Sequence, residues 1–134
     1  MVIVQSEEFD IEKAIESLTA KDKNIGGLCF FVGKVRDFSN GNKVSGVTIE
    51  HYPNMTEKAL SEIEIEARDR WPILASLIIH RYGRLKPGEN IVLVATAAAH
   101  REPTFQSCNF IMDWLKTKAP FWKKEQLDNE ELWV

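Results

Sequence analysis

Apolar residues recur along the chain with two different periods, and the switches between them mark out an ordered series of elements. After a short apolar start, Asp10 is placed to cap a helix in which Ile11, Ala14, Ile15 and Leu18 share a face. "IGGLCFFVGKVRDF" is rich in β-forming residues, and "SNGNK" behind it carries an Asn-Gly turn signal. Together they predict a hairpin between Ile25–Arg36 and Val44–His51, with Arg36, Asp37 and Asn40 at its tip. Asn54 followed by Glu57 reads as a capping box for a second helix, in which Met55, Ala59, Leu60, Ile63 and Ala67 keep helical spacing up to Arg70. Trp71-Pro72 closes it, because the residue before a proline is driven out of the helical region.

"ILASLIIHRYG" and "NIVLVATAAAH" predict two further strands, joined into a second hairpin through the Pro-Gly turn of "RLKPGE". Thr104 is placed to cap a third helix whose apolar stripe is Cys108, Ile111, Met112, Leu115 and Ala119, until Pro120 prevents its continuation. Lys116 falls on the border of that stripe, and a short extended tail follows. Hairpins interleaved with helices predict an α+β fold with a mainly antiparallel sheet and flanking helices. No repeat, low-complexity tract or linker interrupts residues 1–134, which read as one domain.

Composition narrows the function by exclusion. The chain has 134 residues, of which 44% are hydrophobic, and a formal net charge of -3 from 17 basic and 20 acidic side chains. No global positive field draws it to nucleic acid or an anionic membrane. The start of the chain has no basic segment leading into an apolar one, and no run approaches the roughly 20 apolar residues that span a bilayer, so a cytoplasmic protein is expected. Cys29 and Cys108 read as free thiols of a reducing compartment. The glycine-rich phosphate loops and the Gly-x-Ser-x-Gly elbow are absent, and neither His51, His80 and His100 nor the cysteines show metal-ligand spacing, so no metal is expected.

What remains is cationic residues at the ends of elements. Lys34 and Arg36 lie in "GKVR", His100 and Arg101 in "AHRE", and Lys116 and Lys123 flank the Pro-terminated end of the last helix in "KTKAPFWKKE". Arg grips phosphate as a bidentate fork and Lys as a point charge. The plain alternatives are real: exposed charges are mostly solvated, and Lys118 and Lys124 suit a helix C-terminus. Lys116 differs, because a lysine on the margin of an apolar face is expected to be partly desolvated, which makes it a candidate base or nucleophile. Phe121 and Trp122 are expected to wall the turn that returns Lys123 to the same place.

"FVGKVRDF", "EHYPNMTEKAL", "ARDRWP", "HRYGRLKPGE", "AHREPTF" and "FIMDWLKTKAPFWKKE", in that order from about Gly26 to Val134, resemble the large, catalytic subunit of molybdopterin synthase. The resemblance implies an α/β-hammerhead type of fold and a sulfurtransferase activity in molybdenum cofactor biosynthesis. Sulfur passes from the C-terminal thiocarboxylate of a small ubiquitin-like subunit to cyclic pyranopterin monophosphate (precursor Z), which makes the molybdopterin dithiolene. It implies no cofactor of the chain's own, and a homodimer carrying two small subunits as a heterotetramer, in which one protomer lends residues to the other's pocket. Carried over by position, the substrate-binding residues are Lys34, Val35, Arg36, His100, Arg101, Lys116, Lys123, Lys124 and Glu125, with Lys116 and Lys123 catalytic. The alternative from a different class is a non-catalytic dimeric sensor of an anionic pterin or nucleotide.

Overall fold

The computed structural model describes residues 1–127 and 130–134. Its order is β1 (Val2–Gln5), α1 (Ile11–Thr19), β2 (Gly27–Lys34), β3 (Phe38–Ser39), β4 (Asn42–His51), α2 (Met55–Arg70), β5 (Ile73–Arg81), β6 (Gly83–Leu85), β7 (Asn90–Ala98), α3 (Arg101–Thr117), β8 (Phe121–Leu127) and β9 (Glu130–Trp133). The strands form two sheets, one in the order β1-β5-β7-β2 and one in the order β3-β4-β8-β9 with β6 also on β4. Every pairing is antiparallel except β1 with β5, in keeping with the α+β class.

Period-2 alternation in β5 and β7 separates two cores. Ile78, Val92 and Val94 face α2 and α3, where they meet Leu60, Ile63, Ala67, Cys108 and Ile111. Leu77, Ile79, Leu93 and Ala95 face the other way, onto Ala14, Ile15 and Leu18 of α1. The second sheet closes its own core of Val35, Val44, Val47, Ile49 and Leu85. Ile91 and Phe121 pack against both this core and the α2/α3 core, so they form the seam between the sheets.

Several expectations change in the folded chain. β2 and β4 are not a hairpin: β2 pairs along its length with β7, and β4 belongs to the second sheet. The Asn-Gly signal is genuine but joins β4 to the very short β3, with Asn40 and Gly41 both at positive φ, as a two-residue hairpin loop requires. Hydrophobic runs identify strands without naming their partners, and here the partner lies far along the chain. The extended tail is β8, paired with β4 from His51↔Phe121 to Val44↔Leu127. Phe121 and Trp122 therefore lie in a strand and not in a turn.

Helix starts differ as well. Asp10 caps α1 as expected, its carboxylate accepting from Lys13 N at 3.1 Å. Asn54 sits at φ 70 without a side-chain cap, and one Glu57 oxygen is buried without a partner, so no capping box forms. α3 begins four residues earlier than expected, with His100 and not Thr104 at its N-cap. Pro103 falls in the first turn, where its missing N–H is not needed. Ala119 lies beyond the helix end.

β4 is held between β6 and β8 with little clearance. A Cβ on Gly46 would stand 2.9 Å from Leu85 O and 3.2 Å from Gln126 Oε1, and the first of these is backbone. Gly46→Ala is expected to lower stability by about 1–3 kcal/mol through overpacking. Urea denaturation checks this, and an unchanged midpoint would contradict the close approach.

Candidate functional site

A cleft of about 490 Å³ opens along the seam between the two sheets. Lys34 reaches it from the end of β2, Met112, Leu115 and Lys116 from α3, and Phe121, Trp122 and Lys123 from β8, while His80 and Ile91 form part of its wall. Each lysine is delivered by a different element. Lys34 follows a register shift in β2 and donates to Gly88 O at 3.2 Å. Lys116 lies in the last turn of α3, one turn beyond Met112. Lys123 pairs with Ile49 in the β4–β8 ladder.

Three ammonium groups thus share one cleft whose lining, among the described residues, contains no aspartate or glutamate. That arrangement favours an anion, because like charges gathered on low-dielectric walls repel one another until a negative ligand arrives. All three lysines are exposed, so Lys116 is not the desolvated group the helical wheel suggests. The cleft is open enough to hydrate its ammonium.

Lys124 points elsewhere, pairing with Glu131 at 3.0 Å with its ammonium 4.5 Å from the Trp133 ring centre. Glu125 is half-buried opposite Val47 and does not line the cleft. Val35 is buried in the second core, its N–H donating to Glu89 O at 2.9 Å, and Arg36 is exposed just beyond it.

His100 and Arg101 lie at the far end of the molecule. Arg101 and Lys116 are separated by 15 steps of α3, roughly 22 Å at 1.5 Å per residue. The β2–β7 register agrees: Gly27↔Ala98 is at one end of the pair and Lys34↔Asn90 at the other. One chain does not bring the His-Arg pair to its own three lysines.

The wall contains a residue that charge counting passed over. His80 is 9% exposed and stacks on Phe121 with ring centres 3.6 Å apart and planes 14° from parallel. Its Nδ1 lies 2.8 Å from Arg81 O. A carbonyl only accepts, so Nδ1 carries the proton and Nε2 keeps its lone pair. His80 is pushed down to about 4, mainly by burial; the bond to Arg81 O works the other way, and Lys123 and His51 add to the lowering. The signal was present in the sequence: His80 follows Ser76 and Ile78 at even spacing, so a polar ring interrupts the buried face of a strand.

On the α3 side of the cleft, Cys29 and Cys108 line a neighbouring groove that also includes Phe31, Phe105 and Lys116. The two thiols, 79 positions apart in the sequence, are neighbours because β2 packs on α3. Both are free. Burial, with a contribution from Cys29, pushes the Cys108 thiol up to about 12, which opposes a nucleophilic role.

Residues 4–118 match the family model described as MoaE protein. The chain is 53% identical to the molybdopterin synthase catalytic subunit of Pseudomonas aeruginosa over 98% of its own length and 87% of that protein's. It superposes on the solved structure of the molybdopterin biosynthesis MoaE protein from Burkholderia ambifaria with a TM-score of 0.87 at 48% identity, covering 100% of this chain and 88% of the other. For molybdopterin synthase from Staphylococcus aureus the TM-score is 0.92 at 28% identity, covering 98% and 95%.

His80 makes stability depend on pH with a definite sign. Unfolded, its imidazole takes up a proton near 6.5; folded, it does so only near 4. Between those values the unfolded chain binds more protons, so this contribution falls as pH drops from about 6.5 to 4, by roughly 3 kcal/mol in all. Urea titrations across that window are expected to show a steeper acid loss for the natural chain than for His80→Phe. Parallel curves would contradict the assignment.

Proposed function

The chain belongs to the MoaE protein family, the catalytic subunits of molybdopterin synthase, and from that membership we propose that its three-lysine cleft carries out the sulfur-transfer step. The observation that carries this reading is the convergence of Lys34, Lys116 and Lys123 on one cleft that no Asp or Glu side chain among the described residues lines. Both reactants are anionic: a pterin bearing phosphate, and the C-terminal thiocarboxylate of a small ubiquitin-like subunit.

The thiocarboxylate sulfur bonds to a pterin carbon to give a thioester. Water then attacks the acyl carbon, whose C–S bond breaks to leave sulfur on the pterin and a carboxylate on the small subunit; the carbonyl oxygen gathers negative charge during that attack. Preorganised cations beside that oxygen lower the barrier because they need no rearrangement as the charge appears. Lys116, on the firm end of a helix, is our assignment for this reacting centre, to polarise the carbonyl, carry a proton or bond transiently to the acyl carbon. Lys123 faces it from β8 and orients the pterin or stabilises developing charge. Lys34 and Arg36, at the same end of β2, contribute to anchoring the phosphate, whereas Lys124 and Glu125 lie off the cleft lining and make no contact with it. Val35 acts through its burial, which fixes the backbone between the two cations.

His100 and Arg101 enter this scheme through a second copy of the chain. At roughly 22 Å along α3 from Lys116 they are out of reach of their own cleft. A homodimer that sets one protomer's α3 N-terminus against the other's cleft completes the anion site. Two small subunits then make the heterotetramer. No helix among the described residues is long and apolar enough to cross a membrane; reduced thiols support the cytoplasm as the site of action.

The test is reconstitution of the chain with thiocarboxylated small subunit and precursor Z, with dithiolene product as the readout. Lys116→Ala, checked for folding, is expected to slow transfer by about 10²-fold or more, the scale for removing a preorganised charge stabiliser. Lys118→Ala, an exposed residue at the C-cap of α3, is expected to leave it unchanged. Near-normal turnover in the Lys116 variant would remove its central role, and no product from the natural chain would favour the anion sensor.

A further inference from the structure

His80, β8 and Lys123 meet in a way that the charge pattern alone does not explain. Phe121 and Lys123 are two residues apart on β8, so their side chains leave the same face of the strand, roughly 7 Å apart along it. The His80 ring lies flat on Phe121, and both His80 and Lys123 line the cleft. Nδ1 is committed to Arg81 O, and among the described residues no hydrogen bond is made by Nε2. A buried strand has thus placed an acceptor lone pair, fixed in tautomer and in plane, against a cleft whose other polar side chains are cations.

We propose that His80 is a positioning residue: Nε2, which makes no hydrogen bond to Lys123 in this structure, accepts one from the Lys123 ammonium when that exposed side chain turns toward the ring, and so fixes where the cation stands in the cleft. An ammonium has three donors. One given to Nε2 leaves two for the substrate and aims the charge, whereas an unanchored lysine spreads it over many rotamers. The acceptor must be neutral. A carboxylate at this place would cancel the charge that the site needs, and an imidazolium would repel it; a neutral imidazole does neither.

The surroundings keep it in that state. Lys123 and Lys116 face the ring's cleft from β8 and α3, and Lys34 from β2. His51 on β4 lies nearby, its ring centre 6.0 Å from that of Phe121. Its own Nδ1 lies 3.1 Å from Thr56 Oγ1, whose proton goes to Tyr52 O at 2.7 Å, so His51 too is a donor at Nδ1. Arg81, adjacent on β5, is turned away to Ser6 O and Asn90 O. Among the described residues no Asp or Glu side chain lines the cleft to draw a proton onto His80.

The first, labelling arm of the test is independent of the sulfur-transfer reading of the cleft, and the second, kinetic arm rests on it. His80→Phe keeps a flat ring for the stack and removes Nε2, while His80→Gln restores an acceptor at a similar reach. In the first arm, each full-length variant is acylated with N-hydroxysuccinimidyl acetate and Lys123 labelling is read by mass spectrometry against Lys118 in the same molecule. His80→Phe is expected to raise relative labelling of Lys123 several-fold, since the ammonium loses an acceptor that favours it, and His80→Gln to return it toward the natural value. Unchanged labelling in a folded His80→Phe would overturn the contact.

In the second arm, reconstituted transfer is expected to fall by about 10- to 100-fold in His80→Phe, the scale of a misplaced catalytic group. The double variant with Lys123→Ala is expected to be no slower than Lys123→Ala alone. Additive losses would overturn action through Lys123. A Lys123→Ala variant with full activity would instead defeat the reading of the cleft itself, and His80's functional role with it.

Discussion

Everything in the site depends on the antiparallel pairing of β8 with β4. That ladder, from His51↔Phe121 to Val44↔Leu127, carries the chain beyond α3 back across the second sheet and sets Phe121 into the seam between the cores. The His80–Phe121 stack locks the first sheet to the second at this point. Without it Lys123 would be one more surface lysine. With it, Lys123 faces Lys116 across a cleft whose floor is built from both cores.

The electrostatic logic follows from that geometry. The chain as a whole is acidic, yet no Asp or Glu side chain among the described residues lines the cleft, and His80 in its wall is held neutral by burial. A local cationic site in an acidic protein repels polyanions at long range while gripping a small anion that enters. Lys124, one residue beyond Lys123, shows how strand alternation separates roles. It points to the other face and is occupied by Glu131 and Trp133, so the "KK" pair is split between the cleft and a structural contact.

Much of this was legible in the sequence, and the gaps have physical causes. The helices were readable because the stripes of Ile11–Leu18, Leu60–Ala67 and Cys108–Leu115 are local patterns. The pairing of β2 was not, because hydrophobic alternation in "GLCFFVGK" says which face is buried and nothing about which strand lies alongside. β8 was read as a tail because "FWKKEQL" has no clean alternation; its partner β4 supplies the order. Lys116 and Lys123 stood out as cations near an apolar stripe, although the expected desolvation of Lys116 required a closed pocket and the cleft is open. Cys29 and Cys108 looked unrelated because sequence distance hides the packing of β2 on α3. His80 stayed invisible among charges because its contribution is a lone pair.

The central claim is that Lys116 and Lys123, brought together by α3 and β8, receive the anionic tail of the small subunit. Lysine footprinting of the natural chain with and without its thiocarboxylated partner tests this most directly, by mass spectrometry after brief acylation. Lys116 and Lys123 are expected to be protected together when the partner is bound, and Lys118, just past the end of α3, to stay reactive. Full labelling of Lys116 and Lys123 in the assembled complex would contradict the account.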